Sequence, residues 1–144
     1  MITQGQCGSF RAELLNGYHA FSSAYRAADT FKIALYVSTA DLNPSTTTVY
    51  TASGEVSGTG YTAGGIVLVP TAPASSGVIA YESFADAQWT GASFTANGAL
   101  IYNATQGNRA VAILAFGGNK TPVGGTFTVQ FSVNGSTTSV LRFY

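Results

Sequence analysis

The chain has 144 residues, six basic and six acidic side chains and no net charge, so it lacks the basic stripe that a nucleic-acid binder carries. One cysteine, Cys7, excludes an internal disulfide and a cysteine-rich metal site. Apolar runs such as Ile66–Val69 and Ala110–Phe116 are far too short for a membrane-spanning helix.

Only 8% of the residues are charged, against about 25% in ordinary globular domains. Ser and Thr together supply 32 residues and must provide much of the polar surface. Two readings of this shortage coexist. Hydroxyl groups solvate a Thr-rich β-protein, or part of the surface is covered in an assembly, because interface cores are depleted in charge. The length suits one domain.

Residues 1–8 are small and polar and read as a flexible arm ahead of a domain over 9–144. The opening MITQGQCGSF lacks the basic start and apolar core of a signal peptide, so synthesis in a cytoplasm is expected. Phe10, Leu14 and Tyr18 recur at helical spacing, with Ser9 as the expected N-cap and Gly17 as the stop. Two turns of helix are too short to stand alone and must pack on the body.

Strands follow. Thr30–Ser38 alternates, with Phe31, Ile33, Leu35 and Val37 on one face. Asn43-Pro44 marks a turn, and Val49–Ala52 is a candidate short edge strand. The stretch Gly54–Gly65 reads as a knuckle of tight turns in which Gly60, Gly64 and Gly65 supply unusual backbone angles. Tyr61, its only large side chain, is expected to pin it to the body. The knuckle runs into a strand at Ile66–Val69, closed by Pro70 and Pro73.

The second half is strand after strand: Val78–Phe84, Ala87–Trp89, Phe94–Asn103 and Ala110–Phe116, the last apolar enough to be buried on both faces. Gly117–Gly125 reads as a glycine-rich loop. Thr126–Val133 alternates with Phe127, Val129, Phe131 and Val133 inward, and Asn134-Gly135 predicts a hairpin returning through Val140–Tyr144. About eight strands after one short helix predict an all-β, jelly-roll-like sandwich.

Chemistry is sparse. His19 is the only histidine and has no second histidine for a metal site. Glu82 and Asp86 form a conceivable carboxylate pair, although two solvated acids fit the spacing as well. Gly64-Gly65 and Gly117-Gly118 precede no helix with a lysine, which argues against a phosphate loop. No catalytic residue, cofactor or metal is expected.

The blocks SFRAELLNGYHAF, DTFKIALY, EVSGTGYTAGG, ADAQW, ASFTANGALIYN and NRAVAILAFGGNK, in this order, resemble a family of small virion structural proteins of tailed bacteriophages. Asp29–Tyr36 and Glu55–Gly65 are the most specific blocks, and the resemblance covers nearly the whole chain. It implies a head cement or decoration protein that binds the outside of the major capsid protein shell, located on the virion after synthesis in the bacterial host. A tail, fibre or receptor-binding module is the alternative, with Tyr18, Tyr25, Tyr81 and Trp89 as its candidate aromatics. A homodimer is favoured, with a trimer as runner-up. The expected contacts with the shell or with another copy are Met1, Ile2, Thr3, Gln4 and Phe10 near the N-terminus, Leu42, Asn43 and Pro44 in the Thr39–Thr48 loop, and Asn119 and Lys120. Ordinary solvated loops are the plainer reading of the same segments.

Overall fold

A computed structural model describes residues 1–144 as an all-β sandwich with one short helix. In chain order the elements are β1 (Gly5–Gln6), α1 (Gly8–Leu15), β2 (Phe31–Tyr36), β3 (Ile66–Leu68), β4 (Ala74–Ser76), β5 (Ile79–Glu82), β6 (Ala87–Ser93), β7 (Ala96–Asn103), β8 (Arg109–Lys120), β9 (Val123–Val129) and β10 (Leu141–Phe143). They form a five-stranded sheet in the order β1-β8-β7-β2-β3, a three-stranded sheet β10-β5-β4 and a two-stranded sheet β6-β9. Every ladder between these strands is antiparallel.

The pairing of the second half is nested. β7 pairs with β8, β6 with β9, and β5 with β10. One long hairpin is thus folded across more than one sheet, which is the wrapping that a jelly roll requires. A cluster of 27 buried residues draws on all three sheets. β2 and β7 are buried along almost their whole lengths, as are residues 110–113 of β8, so the centre of the large sheet is covered on both faces.

Phe31, Ile33 and Leu35 are fully buried, and Val129 is nearly so. Phe127 and Phe131, also expected in the core, are half-buried at its margin. Phe127 lies 5.8 Å from Trp89 and 5.5 Å from Phe94 by ring centroids, and Phe131 lies 5.6 Å from Phe84. Val133, expected inward, is 82% exposed because β9 has already ended at Val129.

Several local expectations are corrected. The helix starts two residues early, at Gly8, with Cys7 at the N-cap and no side-chain capping bond. Ser9 therefore sits inside the first turn. Gly17 takes φ +72° just past the helix and its N–H donates to Leu14 O, which is the left-handed stop a glycine allows. Val49 makes only an isolated bridge to Arg109, so no edge strand forms at Val49–Ala52. The glycine-rich Gly117–Gly125 is mostly strand: β8 runs on to Lys120 and β9 begins at Val123. The β7–β8 register is irregular between Ala96 and Gly98, where Ala96 faces Lys120 and Gly98 faces Ala115. Glycines there allow a bulge where a loop was expected. β10 pairs with β5 and not with β9, so Asn134-Gly135 makes no hairpin. Its turn is closed locally instead, by Ser139 N–H donating to Gly135 O and Ser139 Oγ donating to Asn134 Oδ1.

Residues 1–8 are laid against the body. Thr3 N–H donates to Leu42 O, Leu42 N–H donates to Met1 O, and the Met1 ammonium donates to Ala40 O. Gly5 and Gln6 pair with β8, and Cys7 is fully buried. The backbone groups of this segment find partners on β8 and on the 40–44 loop, which holds it in place where a free arm was expected.

Candidate functional site

The Gly54–Gly65 knuckle finishes the edge of β2. β3 covers β2 only over Phe31–Ile33. Beyond that point Leu35 O accepts from Val56 N–H, Val37 N–H donates to Gly54 O, and Leu35 N–H donates to the Tyr61 hydroxyl at 2.9 Å. The Tyr61 hydroxyl in turn donates to Glu55 Oε1 at 2.6 Å. Burial first, and then the bond to Glu55, push the Tyr61 phenol far above its ordinary pKa, so it remains a donor at every working pH. Gly64 N–H donates to the same Glu55 oxygen, Tyr50 donates to Oε2 at 2.6 Å, and Tyr102 donates to Gly64 O at 2.7 Å. Gly60 brings its backbone against Thr90 and Gly91 of β6. The arrangement is a brace: Glu55 collects two phenols and a backbone N–H, and no group in it is left free to act on a substrate.

A second polar cluster closes the opposite end of the sheet. His19 is 7% exposed, and both of its ring nitrogens are occupied. Asn103 Oδ1 accepts from the N–H groups of Thr105 and Gln106, which orients its amide so that Nδ2 donates to His19 Nδ1 at 2.9 Å and to Asp29 Oδ2 at 2.8 Å. The tautomer assigned by these partners carries its proton on Nε2 and donates it to Glu13 Oε2 at 2.8 Å. Arg109 Nε donates to Glu13 Oε1 at 2.6 Å, and Arg26 forks onto Asp29. Desolvation lowers the His19 pKa against the opposing pull of Glu13 and Asp29, which keeps the ring neutral near pH 7. A histidine with both nitrogens engaged cannot serve as a general base without breaking the cluster. Its work is to fasten the 16–29 connection to the ends of β7 and β8.

Glu82 and Asp86 do not act as a pair. Asp86 is exposed and its Oδ1 accepts from Phe131 N–H at 2.9 Å. Glu82 is 4% exposed, and its Oε1 accepts from Thr71 Oγ1 at 2.9 Å and from Ser83 N–H at 3.1 Å. Its Oε2 is sealed from solvent and has no donor in the protein. Burial pushes the carboxyl up to about 7 against the hydrogen bonds from Thr71 and Ser83.

Glu82 stands on the wall of a groove about 520 Å³ in volume, between the three-stranded sheet and the α1–β2 connection. Glu82 is paired with Leu141, and Ala80 with Phe143. Residues directly opposite in an antiparallel ladder point to the same face, so these four form one wall. Leu14, Phe21 and Tyr25 line the other side. Of the four aromatics expected for a binding module, Tyr25 and Tyr81 line this groove, Trp89 is buried in the core, and Tyr18 packs at 5.7 Å on His19. The groove joins residues far apart in sequence, and only the isolated acid at Glu82 in an otherwise apolar strand hinted at it.

The pH dependence of the buried carboxyl has a definite sign. Its folded pKa lies above its ordinary value of 4.5, so the folded state holds the proton more tightly. The stability this proton contributes is full below pH 4.5 and is lost as pH rises through about 7. Glu82→Gln should therefore raise thermal stability at pH 8 by about 1–2 kcal/mol, after allowing for the buried amide, and by much less at pH 5. Thermal unfolding of both proteins at the two pH values checks this; a gap that is the same at pH 5 and pH 8 would mean the carboxyl is solvated.

The expected contact residues divide by exposure. Met1, Thr3, Gln4, Asn119 and Lys120 are exposed, while Ile2, Asn43 and Pro44 are half-buried. Phe10 and Leu42 are fully buried and cannot meet a partner; Phe10 instead packs on His19 and Phe21 at 5.0 and 6.0 Å. Gln4 Oε1 accepts from Ala115 N–H, and Asn119 Oδ1 accepts from Asn97 Nδ2. Large apolar side chains stand out elsewhere: Val67 and Val69 at 58% on and beside the edge strand β3, Val78 at 90% in the β4–β5 turn, and Val123 at 89% at the start of β9.

No three His, Cys, Asp or Glu side chains gather where they could hold a metal ion. No helix is long and apolar enough to cross a membrane. Comparison with protein-family models, with curated proteins and with solved structures finds no match for this chain.

Proposed function

We propose that the protein is a virion structural protein of a tailed bacteriophage, a cement or decoration protein that binds the outside of the major capsid protein shell and stabilises the head. The reading rests first on the block resemblance that runs along nearly the whole chain. The observation in the structure that supports it best is the apolar surface at the edges. β3 and the starts of two hairpin arms present valines to solvent, in a chain with twelve charges to keep its surface polar. Such side chains gain about 25 cal/mol per Å² when a partner covers them. Braced sheet edges and occupied polar clusters suit a clamp, which adds an interface and performs no chemistry.

Partners on this reading are the major capsid protein and a second copy of the chain, as a dimer in preference to a trimer. Met1, Ile2, Thr3, Gln4, Asn43, Pro44, Asn119 and Lys120 remain as contact residues; Phe10 and Leu42 are withdrawn because they are buried. Particles assembled without the protein should form, and should rupture or release their genome at a lower temperature than complete particles. Heat-release assays on the two kinds of particle measure this. Equal heat resistance combined with failure to attach to cells would replace the cement reading with the tail or receptor-binding one.

A further inference from the structure

The groove between the three-stranded sheet and the α1–β2 connection has the features of a ligand site in its own right. Its volume of about 520 Å³ lies within the range of small-molecule pockets, and its lining is mainly apolar. Glu82 lines it, and Oε2 of that residue is sealed from solvent and has no hydrogen-bond donor in the protein. A buried acceptor without a donor costs free energy, and native proteins rarely retain one without a use. The bonds from Thr71 and Ser83 to Oε1 already pin the strand, so the structural duty of the residue is met by one oxygen. The other is left over and closed off from solvent, so a ligand in the groove reaches it only when the carboxyl turns.

Charge balance selects the ligand. The charged and titratable groups lining the groove are Glu82 and Tyr81 on the sheet, and His19, Tyr25 and Arg26 on the connection. Arg26 is paired with Asp29, and His19 is held neutral by burial with both nitrogens occupied. Glu82 is the one acid there without a counter-charge. An anion would meet a carboxyl, and a purely apolar ligand would leave Oε2 as it is. A cation with N–H donors satisfies both the charge and the acceptor.

We propose that this groove binds an ammonium group carried on an apolar stem, the stem lying between Phe21 and Phe143 and the ammonium donating to Glu82. Phe21, Tyr25 and Phe143 offer ring surface to the stem and to the cation. Glu82 turns its carboxyl towards the groove as the ligand enters. The same chemistry is supplied by a free alkyl amine and by a lysine side chain. The site is independent of any role on a capsid, since it needs only the isolated protein.

The test uses the whole purified chain and three probes: n-hexylamine, 1-hexanol, and lysine with its amino and carboxyl ends blocked as amides. Binding is followed by amide NMR shifts at residues 80–83 and 141–143. Hexylamine should bind weakly, with a Kd on the order of 1 mM, and about tenfold more tightly than hexanol. Its affinity should rise about tenfold from pH 6 to pH 8, as a carboxyl titrating near 7 ionises. Glu82→Gln should remove the difference between amine and alcohol and flatten the pH response. Binding of blocked lysine as well would assign the site to a partner's side chain; binding of hexylamine alone would assign it to a small amine. Failure of both amines to bind, or hexanol binding as tightly as hexylamine to the wild-type protein, overturns the proposal whether or not the Gln variant folds.

Discussion

Gly65→Ala should leave the protein unable to hold its native fold at ambient temperature. Gly65 has φ +74°, a region that residues with a Cβ rarely adopt. A Cβ there would sit 1.8 Å from Ile33 O and 2.8 Å from Ala34 Cα. Both are backbone atoms of β2, the strand between β7 and β3. No side chain can swing aside to relieve the clash. Relief requires β3 to draw back, which breaks the pairing of Ile33 with Ile66 and opens the edge of the sheet. The expected cost exceeds about 4 kcal/mol, a large part of the stability of a domain this size. Gly77→Ala is the control: φ is +60° there too, but nothing lies within 4 Å of the added methyl, so only the local backbone cost of about 1 kcal/mol applies. Denaturant unfolding of the two variants separates steric exclusion from backbone strain. Similar midpoints would show that β3 can retreat from β2 at little cost.

Tyr61→Ala should cost about 3 kcal/mol, as deletions of a large packed ring do. The ring stacks near Trp89 at 6.4 Å between centroids and meets Phe94 edge-on at 5.9 Å. Its hydroxyl links Leu35 N–H to Glu55 Oε1, so truncation leaves the Leu35 donor on β2 without that partner and Glu55 Oε1 with the Gly64 N–H alone. Tyr61→Phe keeps the ring and removes the hydroxyl, and should cost about 1–2 kcal/mol. The difference between the two variants apportions the effect between packing and edge closure. A Tyr61→Ala protein that melts at the wild-type temperature would show that the ring carries no weight in the isolated fold, and would move its value to a contact with a partner.

The alternation of Phe31, Ile33 and Leu35 and the apolar run from Ala110 already identify the central strands, because burial of a pleated face leaves a period of two and burial of both faces leaves none. The knuckle is legible for a similar reason. Closely spaced glycines and one aromatic ring are local chemistry, although the fold uses them against β2 and β6, which are distant in sequence. All-β class and one short helix follow from such short-range patterns.

Which strands pair is another matter. Asn134-Gly135 carries the residues of a tight hairpin, yet the last strand crosses to β5, because β10 can bury Leu141 only beside Glu82 and the core beneath it. Residues 1–8 read as an arm because their side chains are small and polar, while their attachment is made by backbone groups that sequence patterns do not register. The cluster around His19 joins Glu13, Asp29, Asn103 and Arg109, which come from both ends of the chain. The groove and its unsatisfied Glu82 oxygen exist only where the α1–β2 connection faces the three-stranded sheet. Periodicity by itself determined that Phe31, Ile33 and Leu35 turn inward, but not that Ala34 and Tyr36 are buried on the other face or that Val133 is exposed. The nested wrapping of the second half decided which inward residues meet, since long-range pairing depends on the summed burial of the whole sandwich and on no local signal.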